Sequence, residues 1–373
     1  MTKPRDFGFG EEQAMLQEAA RRFCEDKQPL TSLRQATAGT EDPYHGADRP
    51  GFYDAATWQE MVELGWTALA VPESAGGVGM SLVTAVSLAE EIGRAAMPTP
   101  LTSTLQTTYI LKEAATPAAD AWLARIVEGH AASLAIQAAD GSHLPDCTEV
   151  IARDGRLSGT ASFVQDLQKV DFLVVSAKEG DTTKLYGISK SANGISMHFD
   201  KIVDLTRDQG RVSFDSVAAE CIAEDGVGVL TKATPAILTL IAADVAGGCE
   251  WLLQATAEYA SVRTQFDRPI GFFQAVKHPI VNMMIVTDET RSLVYKAASA
   301  YDTEPEKAHL AAHLAKSSAA DTAEFCANRA TQLHGGIGFT WEHDVQIYHK
   351  RQLHSKHLYG DAIWHREQAA LYL

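Results

Sequence analysis

The chain has no CxxC pair. Its five cysteines, Cys24, Cys147, Cys221, Cys249 and Cys326, are scattered and odd in number, which offers no disulfide framework and suits free thiols in a reducing compartment. Positive charge is in deficit: 32 Lys and Arg stand against 48 Asp and Glu, a net charge of −16. So acidic a chain gains nothing from phosphate backbones, which excludes nucleic acid as the expected partner. The N-terminus, MTKPRDFGFGEEQAML, has no long apolar core behind its basic residues and does not read as a secretory signal. No apolar run in the sequence approaches the length of a membrane span. These absences predict a cytoplasmic protein without membrane association. A nucleophile elbow, a Walker loop and a GxGxxG following a strand are absent as well.

What is present is ordinary in bulk and ordered in texture. Apolar residues make up 46% and charged residues 21%, as in soluble globular proteins, and 373 residues suffice for two or three units with a large core. Residues 1–130 read as mostly helical, with apolar residues at helical spacing over 11–26, 58–64 and 81–94. Residues 36–52, rich in Gly, Pro and Asp, read as a long loop. From 131 the texture changes to short β-rich runs separated by turn residues, over 132–137, 149–153, 156–158, 171–177 and 184–189. After 225 it returns to long helices, over 235–263, 272–301, 305–333 and 342–357. The expected fold is α+β: an N-terminal helical domain (1–130), a middle antiparallel β domain (131–225) and a C-terminal four-helix bundle (226–373). The loops around Gly271 and Gly335 fall at helix ends, where free N–H groups suit anionic ligands.

Within the last unit, Glu258 to Met283 reads EYASVRTQFDRPIGFFQAVKHPIVNM: a helix end with an arginine, a turn with one proline and one glycine, and a second helix behind Phe-Phe-Gln. This stretch resembles the signature of the flavin-dependent acyl-CoA dehydrogenase family. Three further patches, in order, extend the resemblance over nearly the whole chain: WQEMVELGWTALAVPESAGGVGMS with EEIGR, LSGTASFVQDLQKVDFLVVSA, and TQLHGGIGFTWEHDVQIYHKR. The resemblance implies FAD bound across a subunit interface. Arg263, Phe266 and Gln274, together with Gln332, Gly335 and Gly336, would reach the pyrophosphate and adenine of a neighbouring subunit's FAD. An arginine fork suits a pyrophosphate and glycines let backbone approach it. Arg263 equally suits a helix C-terminus, and Gly335-Gly336 a plain turn. Asp267 stands where the family usually has glycine.

The family's reaction needs a carboxylate beside the substrate α carbon, a glutamate found at one of two places. At one, this chain has Tyr359, followed by Gly360, and a phenol is a poor base at neutral pH. At the other it has Ile237, or Ile241 on a different anchoring. Asp244, two turns beyond Ile237 on the same helix face, is a substitute base or a solvated or capping aspartate; Glu250 falls on another face. The β unit departs too. IQAADGSHL keeps Gly141-Ser142 but lacks the usual Glu-Pro, and SFVQD lacks the usual tryptophan. The resemblance is therefore to the non-catalytic partner in heterotetrameric (α2β2) bacterial dehydrogenases acting on bulky, steroid-derived acyl-CoA esters, with an electron-transfer flavoprotein as acceptor. A self-sufficient homotetramer with a non-standard base and a flavin-free CoA-ester binding or scaffold protein are the alternatives. His354 and His357 share a helix face without a completing ligand, so no metal is expected; His334 is expected to pack near the adenine.

Overall fold

The computed structural model describes residues 7–38 and 54–373. The first part is helical: α1 (Glu11–Lys27), α2 (Leu30–Ala38), α3 (Ala55–Glu63), α4 (Leu82–Arg94), α5 (Leu101–Ala114) and α6 (Pro117–Val127). Of the loop expected over 36–52, residues 36–38 instead close α2, and the remainder lies outside the described residues. Polar caps start two of these helices. The Asp54 carboxylate accepts from the Ala56 and Thr57 amides, both at 3.2 Å, and the Thr116 hydroxyl accepts from the Ala119 amide at 3.1 Å just ahead of Pro117. α4 is buried along its whole length, and it docks this part onto the C-terminal helices.

The middle part is a sheet of β1 (Ala132–Ala135), β2 (Ile151–Arg153), β3 (Arg156–Gln165), β4 (Phe172–Glu179), β5 (Thr182–Ser189), β6 (Ile195–Phe199), β7 (Gln209–Ala218) and β8 (Glu220–Ala223), in the order β6-β7-β3-β2-β4-β5-β8 with β1 against β4. Most pairings are antiparallel, as turn-separated strands imply. β1 departs from that pattern: it enters from α6, is separated from β4 by the β2–β3 hairpin, and pairs with β4 in parallel from Ala132–Phe172 to Ala135–Val175. The sequence texture missed β6, β7 and β8; β7 alternates imperfectly in burial and carries Ser216 at φ 52°.

The last part contains α7 (Gly226–Val262), α8 (Gln274–Thr303), α9 (Pro305–His334), α10 (Val345–His357) and α11 (Ala362–Ala370). α7 begins at Gly226 rather than at Pro235. An internal proline costs a helix about 3 kcal/mol, but Val229, Leu230, Ala233, Ile237 and Leu238 on the same helix are buried in one apolar cluster, and Asp225 caps the start by accepting from the Gly228 amide at 2.8 Å. The helix is also more apolar than the sequence reading allowed. An 18-residue window has mean hydropathy 1.6, with 83% of it buried inside the protein, as befits a core helix.

α4 and α7 cross at glycines. A Cβ on Gly93 would lie 2.0 Å from the Asp244 carbonyl oxygen, and one on Gly247 would lie 1.8 Å from that of Glu90. Around the crossing the EEIGR segment ties the parts together with buried ion pairs. Arg291 of α8 bonds Glu90 at 2.6 Å and Glu250, Tyr295 donates its hydroxyl to Glu90 at 2.8 Å, and Glu91 takes Arg94 at 2.6 Å and Arg21 at 3.0 Å.

Candidate active-site region

The two positions where the base is expected fall in the same part of the interior. Ile237 and Ile241 on α7 and Tyr359, between α10 and α11, belong to one apolar cluster. All three are buried. Tyr359 sits at φ 56°, a conformation uncommon outside glycine and Asn or Asp, and Lys316 holds the turn by donating to the Gly360 carbonyl at 3.0 Å and that of Lys356 at 3.2 Å. Burial pushes the Tyr359 phenol well above its ordinary value and pulls the Lys316 ammonium down to about 7. His143, from the segment that replaces the Glu-Pro pattern, lies edge-on to Tyr359 at 5.5 Å and to Trp364 at 4.6 Å. Burial lowers it to about 4. At the two positions where the resemblance expects a base stand an aliphatic side chain and a protonated phenol.

Asp244 is neither solvated nor a cap. Its Oδ1 accepts from Arg207 at 2.6 Å and its Oδ2 from Arg351 at 2.5 Å, with Arg207 also on Ser355 at 2.7 Å and Arg351 on Thr206 at 2.7 Å. Burial alone would raise this carboxyl; the two guanidinium charges and their hydrogen bonds outweigh it and hold the group below the usual carboxylate range. With both oxygens engaged and its affinity for protons reduced, it is poorly suited to proton abstraction. Beside it, Ile241, Thr102, Ser103, Gln106, Asp166 and Leu358 help line a cavity of about 30 Å³, room for a water or two and not for an acyl chain. Nearby, Asp166 accepts from Ser103 at 3.0 Å and from buried Lys169 at 2.9 Å, so the SFVQD segment ends in an internal ion pair.

The residues expected to reach FAD stand in two groups, both exposed. Arg263 caps the end of α7. Thr264–Gln265 and Arg268–Pro269 then pair as a two-residue hairpin (β9 and β10) whose tip, Phe266 and Asp267, has φ 53° and 57°. Left-handed values at both tip positions define a type I′ turn. This accounts for the glycine usual at 267 and for the tolerance of aspartate, whose short polar chain enters that region more readily than most. Phe266 is 83% exposed, with its ring edge-on to Phe273 at 6.0 Å, and Gln274 opens α8. The second group, Gln332 and Gly335, lines an open pocket of about 480 Å³ with Asn328, Thr331, Phe339 and His349. Gly335 has φ 63°, and a Cβ on it or on Gly336 would meet nothing within 4 Å, so backbone there is open to a ligand. This cradle and the exposed Arg263 guanidinium fit a dinucleotide phosphate. His334 does not face the pocket: it is 3% exposed and stacks on Tyr259 at 4.4 Å. His354 and His357 do not converge, since His354 contacts Gln165 at 3.3 Å while His357 is exposed; among the described residues no group of three His, Cys, Asp or Glu could hold a metal.

Sequence reasoning missed Asn328, Thr331 and His349 of the pocket wall. The first two were legible, since 328, 331, 332 and 335 follow helical spacing on one face. Arg207 and Arg351 were not, being brought to Asp244 only by the tertiary fold.

Comparison with known proteins identifies the family and the fold. Residues 10–130 match the acyl-CoA dehydrogenase N-terminal domain and residues 224–370 the acyl-CoA dehydrogenase C-terminal domain. The chain is 34% identical over 301 residues to acyl-CoA dehydrogenase IpdE2 of Mycobacterium tuberculosis, covering 80% of each protein. A variant of the Tcur3481–Tcur3483 steroid ACAD superposes with TM-score 0.86 at 27% identity, over 97% of this chain and 98% of that one. The ChsE4–ChsE5 complex of Mycobacterium tuberculosis shares the fold, with TM-score 0.86 at 23% identity over 98% of each. Members of this family are flavin-dependent oxidoreductases acting on CH–CH groups, and PigA, which shares the fold, has been solved with FAD. The chain belongs to the acyl-CoA dehydrogenase family.

Proposed function

We propose that this chain is the non-catalytic subunit of a heteromeric, FAD-dependent acyl-CoA dehydrogenase of α2β2 type, in which a homologous partner supplies the catalytic glutamate. The observation that carries the reading is the apolar cluster at the two base positions: Ile237 and Tyr359 are buried together, and the nearby acid, Asp244, is held by two arginines. What remains open is the outer surface. Arg263, Phe266 and Gln274 on one side, and Gln332, Gly335 and Gly336 on the other, would hold the pyrophosphate and adenine of an FAD shared with the partner. FAD, when bound, supplies the acceptor for the substrate's β hydride. This chain's residues bind and orient; the proton goes to a carboxylate on the other chain.

The substrate under this reading is a bulky acyl-CoA of the steroid-derived kind, as the steroid ACAD neighbour suggests. The acceptor is an electron-transfer flavoprotein and the compartment the cytoplasm. The parts 1–130, 131–225 and 226–373 would act as domains. The test is expression alone and together with a homologous acyl-CoA dehydrogenase subunit, following flavin absorbance and turnover of steroid-derived acyl-CoA. Flavin retention and turnover are expected only in the joint preparation. Full flavin loading and turnover by the lone chain would refute the assignment.

A further inference from the structure

One buried side chain, outside both the base positions and the pocket wall, joins the elements that carry the candidate cofactor contacts. His334 is the last residue of α9, directly before Gly335. Its ring stacks on Tyr259 at 4.4 Å and 23°, and meets His343 at 4.6 Å. Tyr259 lies one turn before Arg263, whose amide bonds the Tyr259 carbonyl at 2.9 Å. His343 adjoins Asp344, which Arg34 of α2 grips with two nitrogens at 2.9 and 2.8 Å. The turn that follows His334 folds back onto it: a Cβ on Gly338 would lie 2.9 Å from the His334 Cβ and 2.7 Å from the Thr331 carbonyl oxygen. One stack therefore links the end of α7, the end of α9 and the entry to α10.

We propose that His334 is a positioning residue for the cofactor cradle, setting the Gly335–Phe339 turn against the end of α7 so that the glycine backbone and Arg263 address the same ligand. The inference rests on the FAD reading above. The ring is locked on both counts that matter. Its Nδ1 lies 2.8 Å from the Ala330 carbonyl and so must carry the proton, which fixes the ring's orientation. The Tyr259 face then fixes its height along α7. Its Nε2 is buried without a hydrogen-bond partner. A buried acceptor left bare is unfavourable, a cost that an ordinary packing residue such as phenylalanine would not incur. The donor bond to Ala330, made in the same ring as the stack, is what histidine adds.

Two measurements on the full chain, alone and assembled with a homologous subunit, test this. Hydrogen–deuterium exchange of residues 335–343 needs no cofactor: His334→Ala is expected to speed exchange there while leaving the core of α7 unchanged, and His334→Phe, which keeps the stack, is expected to recover most of the protection. FAD titration should show affinity at least about tenfold weaker for His334→Ala, with His334→Phe closer to the parent; tenfold corresponds to about 1.4 kcal/mol. Should His334→Ala fail to fold, Tyr259→Leu removes the same stack from the other side and is expected to give the same local exchange. Unchanged exchange at 335–343 in the variants, or exchange accelerated equally throughout α7, overturns the proposal. If the parent binds no FAD in either preparation, the FAD reading has failed, and the exchange result alone still decides whether His334 orders the turn.

Discussion

Replacing Asp244 by asparagine should destabilise the protein severely, and the geometry sets the size. The carboxylate is 1% exposed and each oxygen accepts from a different arginine, Arg207 at 2.6 Å and Arg351 at 2.5 Å. Asparagine keeps the volume but offers one oxygen; its amide N–H group would face a guanidinium, donor against donor, and two cations would be left beside each other without their anion. Removing one partner of a buried charge pair costs about 3–5 kcal/mol, a large share of the roughly 5–15 kcal/mol that holds a typical protein folded. The assay is urea unfolding at neutral pH, read as the shift in midpoint multiplied by the slope. Linkage provides a second signature. The folded-state carboxyl is held below its ordinary value, so its contribution is fully present above the unfolded value of about 4 and is lost as pH falls through the folded value. The asparagine variant should therefore lose less stability than the parent on acidification below about pH 4. A cost under about 1 kcal/mol, as for an exposed pair, would refute the brace. The same reasoning weakens Asp244→Ala as a test of catalysis, because lost activity would follow from a collapsed brace as readily as from a missing base.

Two further predictions follow from packing and burial. Gly247→Ala gains about 1 kcal/mol of helix propensity but drives a methyl to within 1.8 Å of the Glu90 carbonyl oxygen; overpacking costs typically about 1–3 kcal/mol, and a backbone oxygen yields less than a side chain, so net destabilisation is expected in a urea titration, with a neutral or stabilised variant as the contrary result. His143, His313 and His354 are each lowered by burial to about 4. The unfolded chain then takes up protons from about pH 6.5 downward while the fold does not, so stability should be full above that pH and fall towards pH 4. A His313→Asn variant, measured by denaturant midpoint across this window, should show a shallower fall; an unchanged slope would contradict the burial.

Much of this was legible in sequence, and the parts that were not share a cause. Helical periodicity and the shift to short β-rich runs located the three regions because local propensity and burial agree there. Pro235 misled because a local rule against proline was overridden by five apolar neighbours packing in the core. β1 misled because parallel pairing depends on a partner strand some forty residues away, which no local pattern records. The candidate FAD contacts Arg263, Gln274 and Gln332 were singled out through contiguous motifs, and the structure leaves all three exposed. Arg207 and Arg351 belong to separate segments that meet only at Asp244, so nothing in their own surroundings announces the brace. The meaning of Asp267 was half legible: the departure from glycine was visible, but only the backbone angles reveal a tip that needs left-handed residues.

The contrast between the filled interior and the open surface is the strongest physical reason to expect a partner chain. Arg263, Phe266 and Gln274 are exposed, and burying an aromatic such as Phe266 only on assembly recovers apolar area that the isolated chain leaves in water. The interior has moved the other way. Where a self-sufficient enzyme needs an acid, a dry pocket and space for an acyl chain, Ile237, Ile241 and Tyr359 are buried in one apolar cluster, with His143 edge-on to the phenol, and the cavity next to Asp244 holds about 30 Å³. A glutamate at 359 in this setting would be a carboxyl buried beside the His143 ring, raised in pKa by burial. Under the proposed assembly no acid is needed there. Packing alone then governs which residues fit behind the turn at 359, while the hairpin and the glycine cradle remain constrained by a ligand that both chains must reach.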